Sequence, residues 1–118
     1  MTDPEEKTRS CWLGVPELYR LDSACARLQA LYPFQVYLVG SVLERRNYRD
    51  VDIRLLLSDK KWGRHLSREW LFFNAAISDQ LAAATGLPID FQFMCRTEWD
   101  TYKDRPVRPL GHLPGRKD

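Results

Sequence analysis

Apolar positions recur every three or four residues in two long stretches of the chain and alternate with polar ones in three short stretches. Leu18, Leu21, Cys25, Leu28 and Leu31 share one side of a helix. It opens at Pro16, where a missing N–H costs nothing, and closes before Pro33. Residues 34–39, rich in β-branched and aromatic side chains, form a strand that Gly40 and Ser41 stop abruptly. Residues 42–46 have the length of one or two helical turns. Across 51–57, Val51, Ile53, Leu55 and Leu57 fall on one face and Asp52, Arg54 and Leu56 on the other, the period of a half-buried strand. Residues 58–64 read as a basic loop. Ser67 is placed to cap a second helix, with Glu69 in its first turn, a core stripe of Trp70, Phe73, Ile77, Leu81 and Ala84, and a stop at Gly86 and Pro88. A third strand covers 89–94, with Ile89, Phe91 and Phe93 on one side and Asp90, Gln92 and Met94 on the other.

This pattern predicts an α/β (α+β) domain: a small mixed or antiparallel sheet with helices packed on one face and the other face, which carries the aspartates, left open. The domain is expected over residues 1–102. Residues 103–118, with three prolines, two glycines and five basic residues, read as an extended basic arm.

Composition narrows the class. With 118 residues the natural count is one domain, and 44% apolar against 29% charged residues excludes a mostly disordered chain. No apolar run approaches the roughly 20 residues of a membrane-spanning helix. The acidic, polar start lacks the features of a signal peptide, so a cytoplasmic protein is expected. Cys11, Cys25 and Cys95 are odd in number and have no CxxC spacing, which fits buried free thiols better than a disulfide framework or a zinc site. His65 and His112 have no partner at metal-ligand or triad spacing and read as surface residues. The net charge of +2 does not by itself predict a nucleic-acid partner.

The candidate chemistry lies where the strands begin and end. Asp50 and Asp52, two residues apart, leave the same face of their strand, and Asp90 lies on the polar face of the next. If those strands are neighbours, three carboxylates converge, and such a cluster repels itself unless a cation sits in it. Magnesium takes one or two carboxylates, waters and phosphate oxygens, and paired ions of this kind serve phosphoryl transfer. Gly40 lets the backbone approach a phosphate, and the Ser41 hydroxyl with nearby N–H groups can hold its oxygens. Arg45, Arg46 and Arg49 lie close to this turn and are placed to meet a triphosphate. Arg54 shares the aspartate face; it can bind phosphate or pair with an aspartate. Lys60, Lys61, Arg64 and Arg68 form either a solvated surface or a phosphate-contacting patch. Trp62 is either a rim residue or a platform for a base.

Leu38-Val39-Gly40-Ser41, then eight residues, then Asp50-Val51-Asp52-Ile53, with Asp90 on a later strand, resembles the signature of the DNA polymerase β nucleotidyltransferase superfamily. The likeness spans about residues 17–95 and is nearest to the small, single-domain minimal nucleotidyltransferases that pair with a helical partner in toxin–antitoxin modules. It implies a nucleotidyltransferase fold. Asp50, Asp52 and Asp90 would be the catalytic and metal-ligating set for two Mg²⁺ ions, with Gly40 and Ser41 on the triphosphate and Arg45, Arg46 and Arg54 as further nucleotide contacts. The implied reaction moves a nucleoside monophosphate, such as AMP from ATP, to a hydroxyl of a protein or RNA acceptor. The alternative is an antitoxin-like binding module of the same fold with little catalysis. A chain this small is expected to work with a helical partner protein or as a homo-oligomer.

Overall fold

The structure, a computed structural model, describes residues 11–102 and 105–111. Helix α1 covers Val15–Leu31 and leads into strand β1, Val36–Val39. A 3-10 turn, Gly40–Leu43, follows directly, and then strand β2, Val51–Leu57. A short helix α2, Asp59–Trp62, and the long helix α3, Ser67–Thr85, precede strand β3, Ile89–Cys95. Helix α4, Arg96–Trp99, a 3-10 turn over Asp100–Tyr102 and strand β4, Arg108–Leu110, complete the elements among the described residues.

The four strands form one mixed sheet in the order β3-β2-β1-β4. β1 is antiparallel to both β2 and β4, whereas β2 and β3 are parallel. A parallel pair cannot be joined by a tight hairpin; the crossover here is α2 and α3. The alternation seen in the sequence decides the layers. Val36 and Leu38, then Val51, Ile53, Leu55 and Leu57, then Phe91 and Phe93 are buried on one face against Leu21, Ala24 and Cys25 of α1 and Trp70 and Leu81 of α3. Both long helices thus pack on one side of the sheet, the expected α+β arrangement.

The helix stripes differ in detail. Leu31 is exposed while Leu28 and Tyr32 on either side of it pack against the core, and Ala24 is buried in the stripe instead. Ala84 is exposed near the end of α3, where Leu81 and Thr85 are the buried residues. The cap of α3 is Leu66, not Ser67: Glu69 reaches back and its Oε1 accepts from the Leu66 N–H at 2.7 Å. The basic loop is mostly helical, because the Ser58 hydroxyl accepts from the Lys61 N–H at 3.2 Å and nucleates α2.

Part of the C-terminal stretch expected to be an arm belongs to the sheet. Arg108–Leu110 pairs with β1, and Leu110, opposite Val36, is fully buried. Pro109 is tolerated because β4 is an edge strand, where one missing donor need not break a ladder. The Gly111 N–H then donates to Asp22 Oδ1 at 3.2 Å, tying the strand's end to α1. His112 lies outside the described residues, as do positions 103 and 104.

At the opposite edge, β3 is closed by side chains. Asn74 Oδ1 accepts from the Phe93 N–H at 2.9 Å and Ser78 Oγ from the Phe91 N–H at 2.8 Å. These two residues lie one helical turn apart on α3, so the helix satisfies the donors that a further strand would otherwise take. Among the described residues, no helix is long and apolar enough to cross a membrane.

If β4 is integral to the core, Leu110→Ala leaves a cavity against Val36 and lowers unfolding stability by about 2–5 kcal/mol. Urea denaturation measures it; a change below about 0.5 kcal/mol, the size of an ordinary surface substitution, would show that β4 adds nothing to the core.

Candidate functional site

The polar face of the sheet is not wholly open. α4 follows β3 and lies over its C-terminal end, where Trp99 stacks on Tyr37 with ring centroids 4.6 Å apart and Met94 is buried. What remains accessible is the other end of the strands, where β2 and β3 begin. There the parallel register sets Asp52 beside Asp90, while the antiparallel register of β1 sets Val39 opposite Asp52. Gly40, the next residue, therefore meets the Asp52 side chain.

That meeting explains the glycine. Gly40 has φ +82°, a conformation L side chains rarely adopt, and a Cβ there would collide with Asp52 Oδ2 and lie 3.1 Å from its Cγ. Ser41 follows, half-buried, in the 3-10 turn. The turn is pinned from outside by the Trp12 N–H, which donates to the Val42 carbonyl at 2.8 Å.

The carboxylates repel one another. Burial, first, and then the charges of Asp90 and Asp50 and a hydrogen bond to the Asp90 side chain push Asp52 above the usual carboxylate range, while the Arg54 guanidinium pulls it back. Arg54 is itself buried, with 8% of its surface exposed. Its Nη1 donates to the carbonyls of Ile53 and Asp90, both at 2.9 Å, and Nη2 stands 3.7 Å from Asp90 Oδ2. The last distance is longer than a charge-assisted hydrogen bond, so the guanidinium holds the β3 backbone firmly and the carboxylate loosely. Its Nε is buried without a hydrogen-bond partner among the described residues.

The structure thus brings together Gly40, Ser41, Asp52, Arg54 and Asp90. Asp50 lies just before β2, exposed, and acts on Asp52 through its charge. Among the described residues no three His, Cys, Asp or Glu side chains stand together as a ready metal cage. Two carboxylates side by side on adjacent strands are nonetheless a donor set suited to a hard divalent ion, since magnesium needs only one or two and fills its shell with water and phosphate. Asp52 and Asp90 are the residues that fit it. Arg45 and Arg46 are exposed beyond the 3-10 turn, with the Arg46 guanidinium 5.1 Å from the Trp12 ring centre.

Other candidates are placed elsewhere. Trp62 stacks flat on Trp70 at 5.0 Å, and the Trp70 Nε1–H donates to its carbonyl, so this indole is committed to joining α2 and α3. His65 packs edge-on against Trp70 and Phe73 and lies 3.4 Å from Glu69 Oε1. Lys61 lies over the Phe34 ring at 5.2 Å. The three cysteines are free; burial pushes Cys25 up to about 12, an inert packing thiol. The side chains that the sequence did not single out are Asn74 and Ser78, whose spacing of four on α3 is a signal only once β3 is known to lie beside them.

Comparison with protein-family models, with curated proteins and with solved structures finds no match.

Two measurements test this geometry. Because Asp52 titrates above its ordinary value of 3.8, the folded protein holds its proton more tightly than the unfolded chain, and that contribution to stability is lost as pH rises through the folded pKa. Asp52→Asn should therefore be more stable than the parent at pH 7, with the gap closing as pH falls toward 3.8, by urea midpoints; a less stable variant at pH 7 contradicts the strained pair. Gly40→Ala should destabilise by at least the roughly 1–2 kcal/mol of a left-handed alanine, and Asp52→Gly in the same chain should recover part of that loss. Additive effects of the two substitutions would show that Gly40 and Asp52 do not touch.

Proposed function

We propose that the chain is a nucleotidyltransferase-fold domain of the polymerase β type, which binds a nucleoside triphosphate at Gly40, Ser41, Asp52 and Asp90 and transfers its nucleoside monophosphate to an acceptor hydroxyl. The observation that carries this reading is the packing of Gly40 against the Asp52 carboxylate with Asp90 in register beside it. A turn cleared of side chain, a hydroxyl and two carboxylates at the open ends of adjacent strands have little structural purpose, and their mutual repulsion is a cost to the fold. It is the arrangement expected of a site completed by its ligand.

In this reading the Gly40 backbone and the Ser41 hydroxyl hold the phosphates. Exposed Arg45 and Arg46 approach them from the solvent side. Asp52 and Asp90, with Asp50 nearby, would hold Mg²⁺, which when bound neutralises phosphate charge and makes the α-phosphorus more electrophilic. The acceptor oxygen bonds to that phosphorus, the bond from phosphorus to the α–β bridging oxygen breaks, and pyrophosphate leaves with the electron pair. Asp90, with 44% of its side chain exposed, takes the hydroxyl proton. The setting is the cytoplasm, where three unpaired thiols stay reduced. A helical partner protein or a second copy completes the working unit.

One observation favours a second reading. Arg54 places a buried guanidinium beside Asp90 and so supplies some of the positive charge that a metal ion would bring. A protein that binds the triphosphate and does not turn it over would have this feature.

Incubation with Mg²⁺, each α-labelled triphosphate and cell lysate separates the two. Transfer of label by the parent, lowered at least about 100-fold in Asp52→Asn and in Asp90→Asn, is the expected result. A Mg²⁺–triphosphate melting shift without labelling selects the binding module. Neither labelling nor a melting shift means that the site is not a nucleotide site.

A further inference from the structure

A cavity of 390 Å³ runs between α3 and the edge strand β3, and Asp90 is one of its walls. Its volume is that of a ligand pocket. Its shape follows from two bonds already described. Ser78 lies beside Phe91 and Asn74 beside Phe93, so α3 and β3 run in opposite directions along the groove. From Ser67 to Ser78 the helix rises about 16 Å at 1.5 Å per residue. From Asp90 to Cys95 the strand covers about 17 Å at 3.3 Å per residue. The lining on the strand side runs from Asp90 to Phe93, and Glu98 on α4 follows past the strand's end at Cys95, so Asp90 and Glu98 lie toward opposite ends of the groove.

The chemistry of the lining is one-sided. Trp70, Leu71, Phe91 and Phe93 make it apolar, and the ionisable residues among the described lining are the acids Asp90 and Glu98. Among the described residues no lysine or arginine lines it. The guanidinium groups of Arg45 and Arg46 lie instead beyond the Gly40–Leu43 turn, by the phosphate-binding side. A nucleic-acid acceptor would have to lay its phosphates along two acids, where the one nearby cation, Arg54 beside Asp90, is buried and already held by backbone carbonyls, the reverse of what phosphate recognition requires.

We infer that this groove is the acceptor site, and that it takes an extended polypeptide of about five residues with a hydroxyl side chain at one end and a lysine or arginine at the other. This rests on the nucleotidyl-transfer reading above. The hydroxyl sits at Asp90, where its proton leaves as the oxygen bonds to the α-phosphorus and pyrophosphate departs. The basic side chain pairs with exposed Glu98. At about 3.3 Å per residue, five residues of extended chain span the distance between them. The peptide is read by its side chains and not by strand addition, because Asn74 and Ser78 already occupy the outward N–H groups of Phe93 and Phe91. Apolar residues between the two ends lie on Leu71 and Ala75, both exposed to solvent at the groove.

The test uses the full chain with Mg²⁺ and α-labelled triphosphates and offers two acceptors: synthetic peptides carrying serine, threonine or tyrosine with a lysine placed zero to eight residues away, and total cellular RNA. Two groove variants are compared with the parent, Glu98→Lys and Ala75→Trp, both at exposed positions and away from Gly40 and Asp52. The expected result is label on peptides, strongest when the lysine is four to six residues from the hydroxyl. That labelling falls at least 10-fold in each variant, while the Mg²⁺–triphosphate melting shift stays as in the parent. Glu98→Lys should also move the preference toward a peptide with glutamate in place of lysine. Label on RNA, or peptide labelling indifferent to lysine position and to both variants, overturns the groove assignment and leaves nucleotidyl transfer standing. A melting shift without label on either acceptor also overturns it, and selects the binding module. Loss of the melting shift in the parent itself brings down the nucleotide site and the groove proposal together.

Discussion

The register of β2 against its two neighbours is the constraint on which the site depends. Paired in parallel with β3, it sets Asp52 beside Asp90; paired in antiparallel with β1, it brings the Gly40 turn onto the same carboxylate. A slip of one residue on either side would turn the aspartates into the core and bury charge among Val51, Ile53 and Leu55. The apolar face therefore holds the polar face in place. The energy that fixes the register comes from the residues packed against α1 and α3, and the site spends some of it on two carboxylates kept close together.

Charge is distributed around that pair with a direction. Arg54 lies against Asp90 from within the sheet, Arg45 and Arg46 stand beyond the Gly-Ser turn, and the groove along β3 presents acids and aromatic rings. A ligand carrying several negative charges is drawn to one flank and a cationic one to the other, since surface charge acts over about 8 Å before salt screens it at physiological ionic strength. Two ligands of opposite charge can approach the same carboxylates without competing for one surface.

Much of this was legible in the sequence, because it follows from short-range periodicity. Strand parity put Asp52 and Asp90 on one face, and a glycine after a β-rich run marked the turn that meets them. Three features were not legible, each for a reason of distance. β4 lies in a proline-containing segment with too few residues to show alternation, and only its pairing with β1 makes Arg108–Leu110 a strand. The sequence leaves the Arg54 guanidinium between phosphate and aspartate, and only the register shows that it lies within reach of the Asp90 backbone. α4 gave no amphipathic signal in its four residues, and yet Trp99 covers part of the face expected to be open.

The closure of the β3 edge by Asn74 and Ser78 bears on how the chain survives its own synthesis. Residues 91–95 combine aromatic and apolar side chains with no charge, the kind of segment that cross-pairs between nascent chains when its edge is bare. Here the cover precedes what it covers. α3 is translated before β3, and only three residues separate Thr85 from Ile89, so the amide carbonyl oxygen and hydroxyl that close the edge are already nearby on a local helix when the strand leaves the ribosome. The vulnerable interval is then only the time needed for one short turn to fold back, and the ordering of elements along the gene acts as a chaperone for the strand.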